Sequence, residues 1–300
     1  MGVLSKHWVL LAAGSSGWKD YGDQANVCHA YQVMHRNGIP DEQIVVMMYD
    51  DIADHENNPD KGKIINVPKG PNVYTGVPKD YTGEDVTAEN FLAVLCGDSS
   101  AVKKTGAKKV IQSGRNDTVF IYLSAHGGQG SFSFPNSKLY AKDLIKTVTA
   151  MSKTGKFSKM VIYIEACHSG SMVEKLKDNN VYAVSSCSPD GLSYACYYDQ
   201  RLKTCLSSCF TAHWLQHTET VKLNTTSFGD QFSYLKKRVS ESKSQKGDTQ
   251  TPCNYGDMNI RNLMLSEFLG ESRNSSLTLE RQYNDLIREI QEQPAGCVVA

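Results

Sequence analysis

One thiol and one imidazole in this chain sit where side chains can do chemistry. Cys167 lies near the end of Met160-Val-Ile-Tyr-Ile-Glu-Ala-Cys-His-Ser-Gly, a mostly apolar, β-favouring run that breaks at Ser-Gly. His126 closes Thr118-Val-Phe-Ile-Tyr-Leu-Ser-Ala-His-Gly-Gly, a second apolar run of the same form. In a parallel sheet, strand ends of one kind share one edge, and α/β proteins keep their chemistry at that carboxyl edge. Two such strands hold a Cys and a His within mutual reach, which is what a thiol nucleophile and its base require. Taken singly, Cys167 reads as a buried core thiol and His126 as a turn histidine. It is the pairing, each residue at a strand end and each followed by glycine, that points to catalysis.

The elements that must carry these residues alternate along the chain. Strands are predicted at His7–Ala13, Gln43–Tyr49, Val119–Leu123, Met160–Glu165 and Val181–Ser186. Helices are predicted at Asp23–Asn37, Thr87–Leu95, Ala141–Met151, Thr204–His217 and Asp230–Ser242, and a hairpin joins Ser131–Phe134 to Lys138–Tyr140. Residues 53–82 are rich in Pro, Gly, Asn and Lys and read as a long surface loop. The alternation predicts an α/β fold, a mostly parallel central sheet between two helical layers. A boundary is placed near residue 270, leaving 271–300 as a polar tail with a charged amphipathic helix over Leu277–Gln293.

Composition narrows the function. The chain has 300 residues, 40% hydrophobic and 21% charged, with a formal net charge of zero. That balance suits a globular enzyme and argues against a nucleic-acid partner, which would need basic excess. No apolar run is long enough to span a bilayer. The nine cysteines, an odd number without disulfide-module spacing, are expected to be free thiols in a reducing compartment. Against that stand glycosylation sequons at Asn116, Asn224 and Asn274, which matter only in a secreted protein. Cys205, Cys209, His213 and His217 fall every fourth residue. On one helix the outer two would lie roughly 18 Å apart, too far to share an ion, so they read as a helix face and no metal is assigned. The terminal Cys297-Val-Val-Ala fits a prenylation box. Without a basic patch, a lipid on Cys297 would give only weak membrane association. The expected location is the cytoplasm, or the lysosome or vacuole if a leader has been removed.

His-Gly-Gly after one strand and Glu-Ala-Cys-His-Ser-Gly after another resemble the caspase-fold cysteine peptidases. Further stretches resemble the legumain family of asparaginyl endopeptidases: His29-Ala-Tyr-Gln, Arg36 through Ile52, Gly76 through Thr87 and Ser193-Tyr-Ala-Cys-Tyr-Tyr-Asp199. The similarity covers about His7 to Gly270. It implies a caspase-like three-layer α/β/α sandwich, protein or peptide substrates, a thioester acyl-enzyme and no cofactor. It implies that Cys167 is the nucleophile and His126 the proton carrier. The amides of Gly127 and Cys167 would form the oxyanion hole.

Departures from the family pattern cluster in the same region. Asp20 stands where the family has an Asn beside the histidine, Ala125 where Asp is common, and His168 where Glu is common. In the pocket for the residue before the scissile bond (P1), an Arg-His pair is replaced by Gly22 and Asp23. Glu165 is kept, Leu192 replaces a Ser next to Ser193, and Ser208 replaces an Asp. The family's long carboxyl-terminal prodomain is expected to be missing. These substitutions put asparagine preference in question. They favour Lys or Arg, with Lys19 a competing cation from within and Leu192 an apolar wall. Two alternatives remain: a weakly active or non-catalytic paralogue, and a peptide ligase using the same acyl-enzyme.

Overall fold

The computed structural model describes residues 5–177, 179–241 and 249–271, together with the backbone of 297–298. A six-stranded sheet forms its centre. In chain order it comprises β1 (His7–Ala13), β2 (Ile44–Met47), β3 (Thr118–Ser124), β7 (Lys159–Glu165), β8 (Val181–Ser185) and β11 (Cys253–Gly256). Their spatial order is β11-β8-β7-β3-β1-β2, with every pairing parallel except that of the edge strand β11. The small hairpin sheet contains β4 (Gly127–Gly128), β5 (Ser131–Phe134) and β6 (Ser137–Tyr140). A third sheet has the order β10-β9-β12, with β9 at Tyr194–Asp199, β10 at Thr204–Ser208 and β12 at Cys297–Val298.

The central strands are buried on both faces, so they read as continuous apolar runs. Alternation within each run still decides which side chain meets which layer. Val9, Leu11, Phe120, Tyr122, Val161 and Tyr163 face the helices α1 (Tyr21–Arg36), α5 (Cys209–Thr220) and α6 (Phe228–Glu241). Trp8, Leu10, Val119, Ile121, Met160 and Ile162 face α2 (Ala88–Cys96) and α3 (Ala141–Lys153). Two short helices, α4 (Gly170–Val173) and α7 (Ser266–Leu269), complete the set of α-helices among the described residues. The borders of α2 follow from its sequence. The Thr87 hydroxyl caps its start by accepting from the Asn90 amide at 3.1 Å, and Gly97 ends it in the left-handed region at φ 76°.

The three-layer α/β expectation holds. Among the predicted elements one differs in kind: Thr204–His217 is not a single helix. Its first five residues form β10, paired antiparallel with β9, and the helix starts at Cys209. Thr204-Cys-Leu-Ser-Ser carries only a weak local helix signal, and strand pairing with β9 outweighs it. Cys205 therefore does not share a helix with Cys209, His213 and His217. Nor is Cys205 a free thiol as expected, for it is disulfide-bonded. Cys28, Cys96, Cys167, Cys187, Cys196, Cys209 and Cys253 are unbridged. The proposed Leu277–Gln293 helix lies outside the described residues.

Candidate active site

Sheet register brings the two principal candidates together. Ser124 at the end of β3 is level with Glu165 at the end of β7. His126 and Cys167 each lie two residues beyond those partners, at the same edge. Both line one cleft, together with Lys19, Asp20, Gly22, Asp23, Glu165, Ser193 and Ser208. The turn after β3 comes so close to the turn after β7 that Gly127 is required there. A Cβ on it would overlap the carbonyl oxygen of Cys167. The next residue, His168, holds φ at 55°, a conformation few non-glycine residues adopt. Its amide donates to the Gly191 carbonyl at 2.9 Å, and its Nδ1 lies 3.0 Å from the Pro189 carbonyl. This bent backbone aims Cys167 into the cleft and away from the core.

The Cys167 thiol lies against Ser193. The Ser193 amide donates to Sγ at 3.4 Å, and Sγ approaches the Ser193 carbonyl at 3.7 Å. Burial pushes the thiol above the usual cysteine range, with the Ser193 amide opposing. His126 is half-buried, and its Nε2 lies 2.9 Å from Oδ1 of Asp20. That hydrogen bond raises the His126 pKa above the ordinary histidine value despite partial burial. Nδ1 is then the ring nitrogen left for proton exchange.

Below the dyad candidates lies an acidic, hydroxyl-lined pocket. Asp23 is buried and accepts from the hydroxyls of Ser15 at 2.5 Å and Ser124 at 2.7 Å. Burial pushes its pKa up. Glu165 accepts from the Ser193 hydroxyl and from the amide and hydroxyl of Thr211, each of the latter at 3.2 Å. Burial pushes Glu165 up to about 7, with those hydrogen bonds opposing and Asp23 adding to the rise. Ser208 accepts from the Asn26 side chain at 2.7 Å. Gln250 reaches in from beyond α6, donating to Ser193 Oγ at 3.0 Å and accepting from the Tyr194 amide at 3.0 Å.

Of the residues singled out from sequence, Cys167, His126, Asp20, Gly22, Asp23, Glu165, Ser193 and Ser208 meet in this cleft, with Gly127 packed against Cys167. Leu192 does not. It is 42% exposed and stands clear of the pocket lining. The expected apolar wall is therefore absent from that position. The side chain of Cys297 lies outside the described residues. Ser15, Ser124, Asn26, Thr211 and Gln250 were not found from sequence. None carries a motif, and only folding brings them to the carboxylates.

The chain matches the Peptidase C13 family over residues 7–271. The chain belongs to that family. It is 49% identical to legumain of Homo sapiens over 272 residues, covering 90% of this chain and 61% of the relative. It is 42% identical to the vacuolar-processing enzyme beta-isozyme of Arabidopsis thaliana, covering 89% of this chain and 57% of that protein. The chain thus spans about three-fifths of the length of these relatives. In fold it resembles caspase-1 of Spodoptera frugiperda, with a TM-score of 0.53 at 11% identity, covering 91% of this chain and 93% of that one.

Proposed function

We propose that the protein is a cysteine endopeptidase in which Cys167 and His126 form the catalytic dyad. Two supports carry the reading: membership of a peptidase family, and convergence of the Cys167, His126 and Asp20 side chains on one cleft at the carboxyl edge of the sheet. Cys167 passes its proton to His126 and its sulfur attacks the scissile carbonyl carbon, placing a negative charge on the oxygen. The amides of Gly127 and Cys167 face that oxygen and stabilise it. The C–N bond then breaks as His126 hands a proton to the leaving amine, giving a thioester. His126 takes a proton from water, the hydroxide attacks the thioester, and the acid product leaves with the thiol restored. Asp20 holds the ring by Nε2 and stabilises the imidazolium.

The pocket favours a cationic side chain before the scissile bond. Asp23 and Glu165 are buried together, and burial raises the pKa of both, so a cation placed beside them would offset the cost of holding their charge. A Lys or Arg side chain would supply it. Lys19 lines the same cleft and is the competitor from within.

The deciding experiment profiles the purified chain against a peptide library varied at P1, with Cys167→Ala as control. Cleavage after Lys and Arg, abolished in the control, is expected. Cleavage after Asn with Lys and Arg peptides untouched would refute the specificity reading. Turnover surviving in Cys167→Ala would refute the nucleophile.

A further inference from the structure

A second cavity opens beyond the His126–Asp20 pair. It holds about 530 Å³, and its lining shares only those two residues with the acidic pocket. The two lie over opposite faces of the sheet. Asp23 belongs to α1, which packs in the layer of Phe120 and Tyr122, whereas the β5–β6 hairpin packs Phe132, Phe134 and Leu139 into the other layer. The hairpin is a fixed wall. The Ser133 amide donates to the His126 carbonyl at 3.0 Å, and a Cβ on Gly14, just after β1, would overlap the Ser133 carbonyl. At the hairpin tip Ser137 accepts from the Ala88 amide at 2.9 Å, and the Asn136 side chain donates to Glu84 at 2.6 Å.

Alternation along β6 sets what this wall presents. Leu139 is buried, which leaves Lys138 and Tyr140 on the outward face, both exposed and both lining the cavity. Three charged side chains line it: Asp20, His126 and Lys138. Asp20 and His126 pair with each other. Lys138 has no ion pair or hydrogen bond among the described residues. Lys142 adds a neighbouring cation, its Nζ 5.8 Å from the centre of the Tyr140 ring. Glu84, at the hairpin tip, is engaged by Asn136 and by the Tyr49 hydroxyl and does not line the cavity. The charge this cavity offers a ligand is therefore positive, opposite in sign to that around Asp23 and Glu165.

We propose that this cavity receives the segment after the scissile bond and selects an acidic side chain there, Asp or Glu, through Lys138. The assignment rests on the peptidase reading, in which His126 hands its proton to the leaving amine. The new amino terminus forms at that ring, so the segment behind it lies on the side of this cavity while the residue before the cut fills the acidic pocket. A carboxylate within reach of Lys138 gains an ion pair at a wall that needs no rearrangement. The exposed Tyr140 ring gives its methylenes a surface to cover. The preferred substrate is then dipolar, basic before the bond and acidic one to three residues after it. That polarity fixes which way a peptide lies across the dyad.

The test uses the full chain and internally quenched peptides that share one residue before the bond and carry Glu, Gln or Lys at the first, second or third position after it. At one of those positions kcat/KM should be about threefold or more higher for Glu than for Lys. Lys138→Arg should keep that ratio and Lys138→Glu should invert it, an inversion that loss of folding does not produce. A flat ratio in the wild-type chain, or a preference for Glu that survives Lys138→Glu, overturns the proposal. A second arm needs no turnover: fluorescence anisotropy of the labelled Glu and Lys peptides with Cys167→Ala. That variant should bind the Glu peptide about threefold or more tightly than the Lys peptide, and adding Lys138→Glu should reverse the order. Equal binding of the two peptides overturns the proposal. If binding discriminates but the wild-type chain cleaves none of the peptides, the acid-selecting cavity stands and the peptidase reading fails. If the peptides are cleaved without discrimination, the peptidase reading stands and the cavity assignment fails.

Discussion

Asp20 raises the pKa of His126 through the hydrogen bond between them. Its carboxylate is the principal reason the imidazole holds its proton above the ordinary histidine range. Replacing it with Asn keeps a hydrogen-bond acceptor but removes the charge. The proton is then lost at lower pH, so the alkaline limb of the kcat/KM profile should move to lower pH in Asp20→Asn, which a full pH-rate profile measures. Glu165 gives a second test. With its pKa near 7, it is mostly neutral below that point and mostly charged above it. KM for peptides with Lys or Arg before the scissile bond should therefore fall as pH rises from ~6 to ~8, by several-fold, and Glu165→Gln should flatten the dependence. An uncharged residue in the same peptide should show no such fall. At this scale the sequence was informative about position and less so about contact. The equal spacing of Cys167 and His126 from the ends of apolar runs pointed to one shared edge, and strand register does bring both to one cleft. Leu192 shows the limit. Its alignment suggested a pocket wall, but the orientation of a turn residue depends on backbone angles that residue types do not encode.

Elements transmit this geometry through a few close approaches. The β3 and β7 turns touch at Gly127, where any side chain meets the Cys167 carbonyl. Gly127→Ala should push the two turns apart by a fraction of an ångström to about one. A displacement of that size at a reacting centre can cost on the order of 10²-fold in rate. A kcat/KM lowered about 100-fold, with a melting temperature within a few degrees of wild type, is expected from steady-state kinetics and calorimetry. Unchanged kinetics would mean that the glycine is not what sets the separation. Long buried strands and capped helices such as α2 were legible because period, capping residue and stop glycine agree. The stretch 204–208 was misread as helix because five residues carry too little pattern to arbitrate. β9 and β11 were missed, being half-polar strands defined by their partners. The Gly127 contact itself could be suspected from Gly-Gly but not located.

At the scale of the molecule, an aromatic cluster joins the sheet to the helical layer that bears on the pocket. Trp214 on α5 is fully buried and packs against Phe120, Tyr122 and Tyr163, with ring centroids 5.1–6.0 Å away. The same helix carries Thr211, which donates to Glu165. Trp214→Ala should cost ~3–5 kcal/mol of stability, as large-to-small changes in packed aromatic cores do. It should also weaken discrimination between basic and neutral peptides, because α5 would no longer fix Thr211. Urea denaturation and paired kinetics on the two peptide types check both parts. A large stability loss with specificity intact would show that β10 and Asn26 hold the pocket without help from α5. The layered architecture was readable from alternation alone. The coupling between core and pocket was not, since it depends on which helix the acid happens to face.

The walls around Asp23 and Glu165 are built largely from hydroxyl groups: Ser15, Ser124, Ser193 and Thr211 each donate to one of the two acids, with Ser207 and Ser208 lining the same cleft. Each hydroxyl carries one hydrogen, and here that hydrogen is already given to a carboxylate. Turning it toward a ligand would leave a buried acid oxygen unpaired. The pocket is in this sense committed in advance: it offers an incoming group acceptors and few donors. An inhibitor that brings donors should bind far more tightly than its isostere with acceptors in the same places, as paired inhibition constants would measure, and equal affinity would mean that the hydroxyls turn away from the acids.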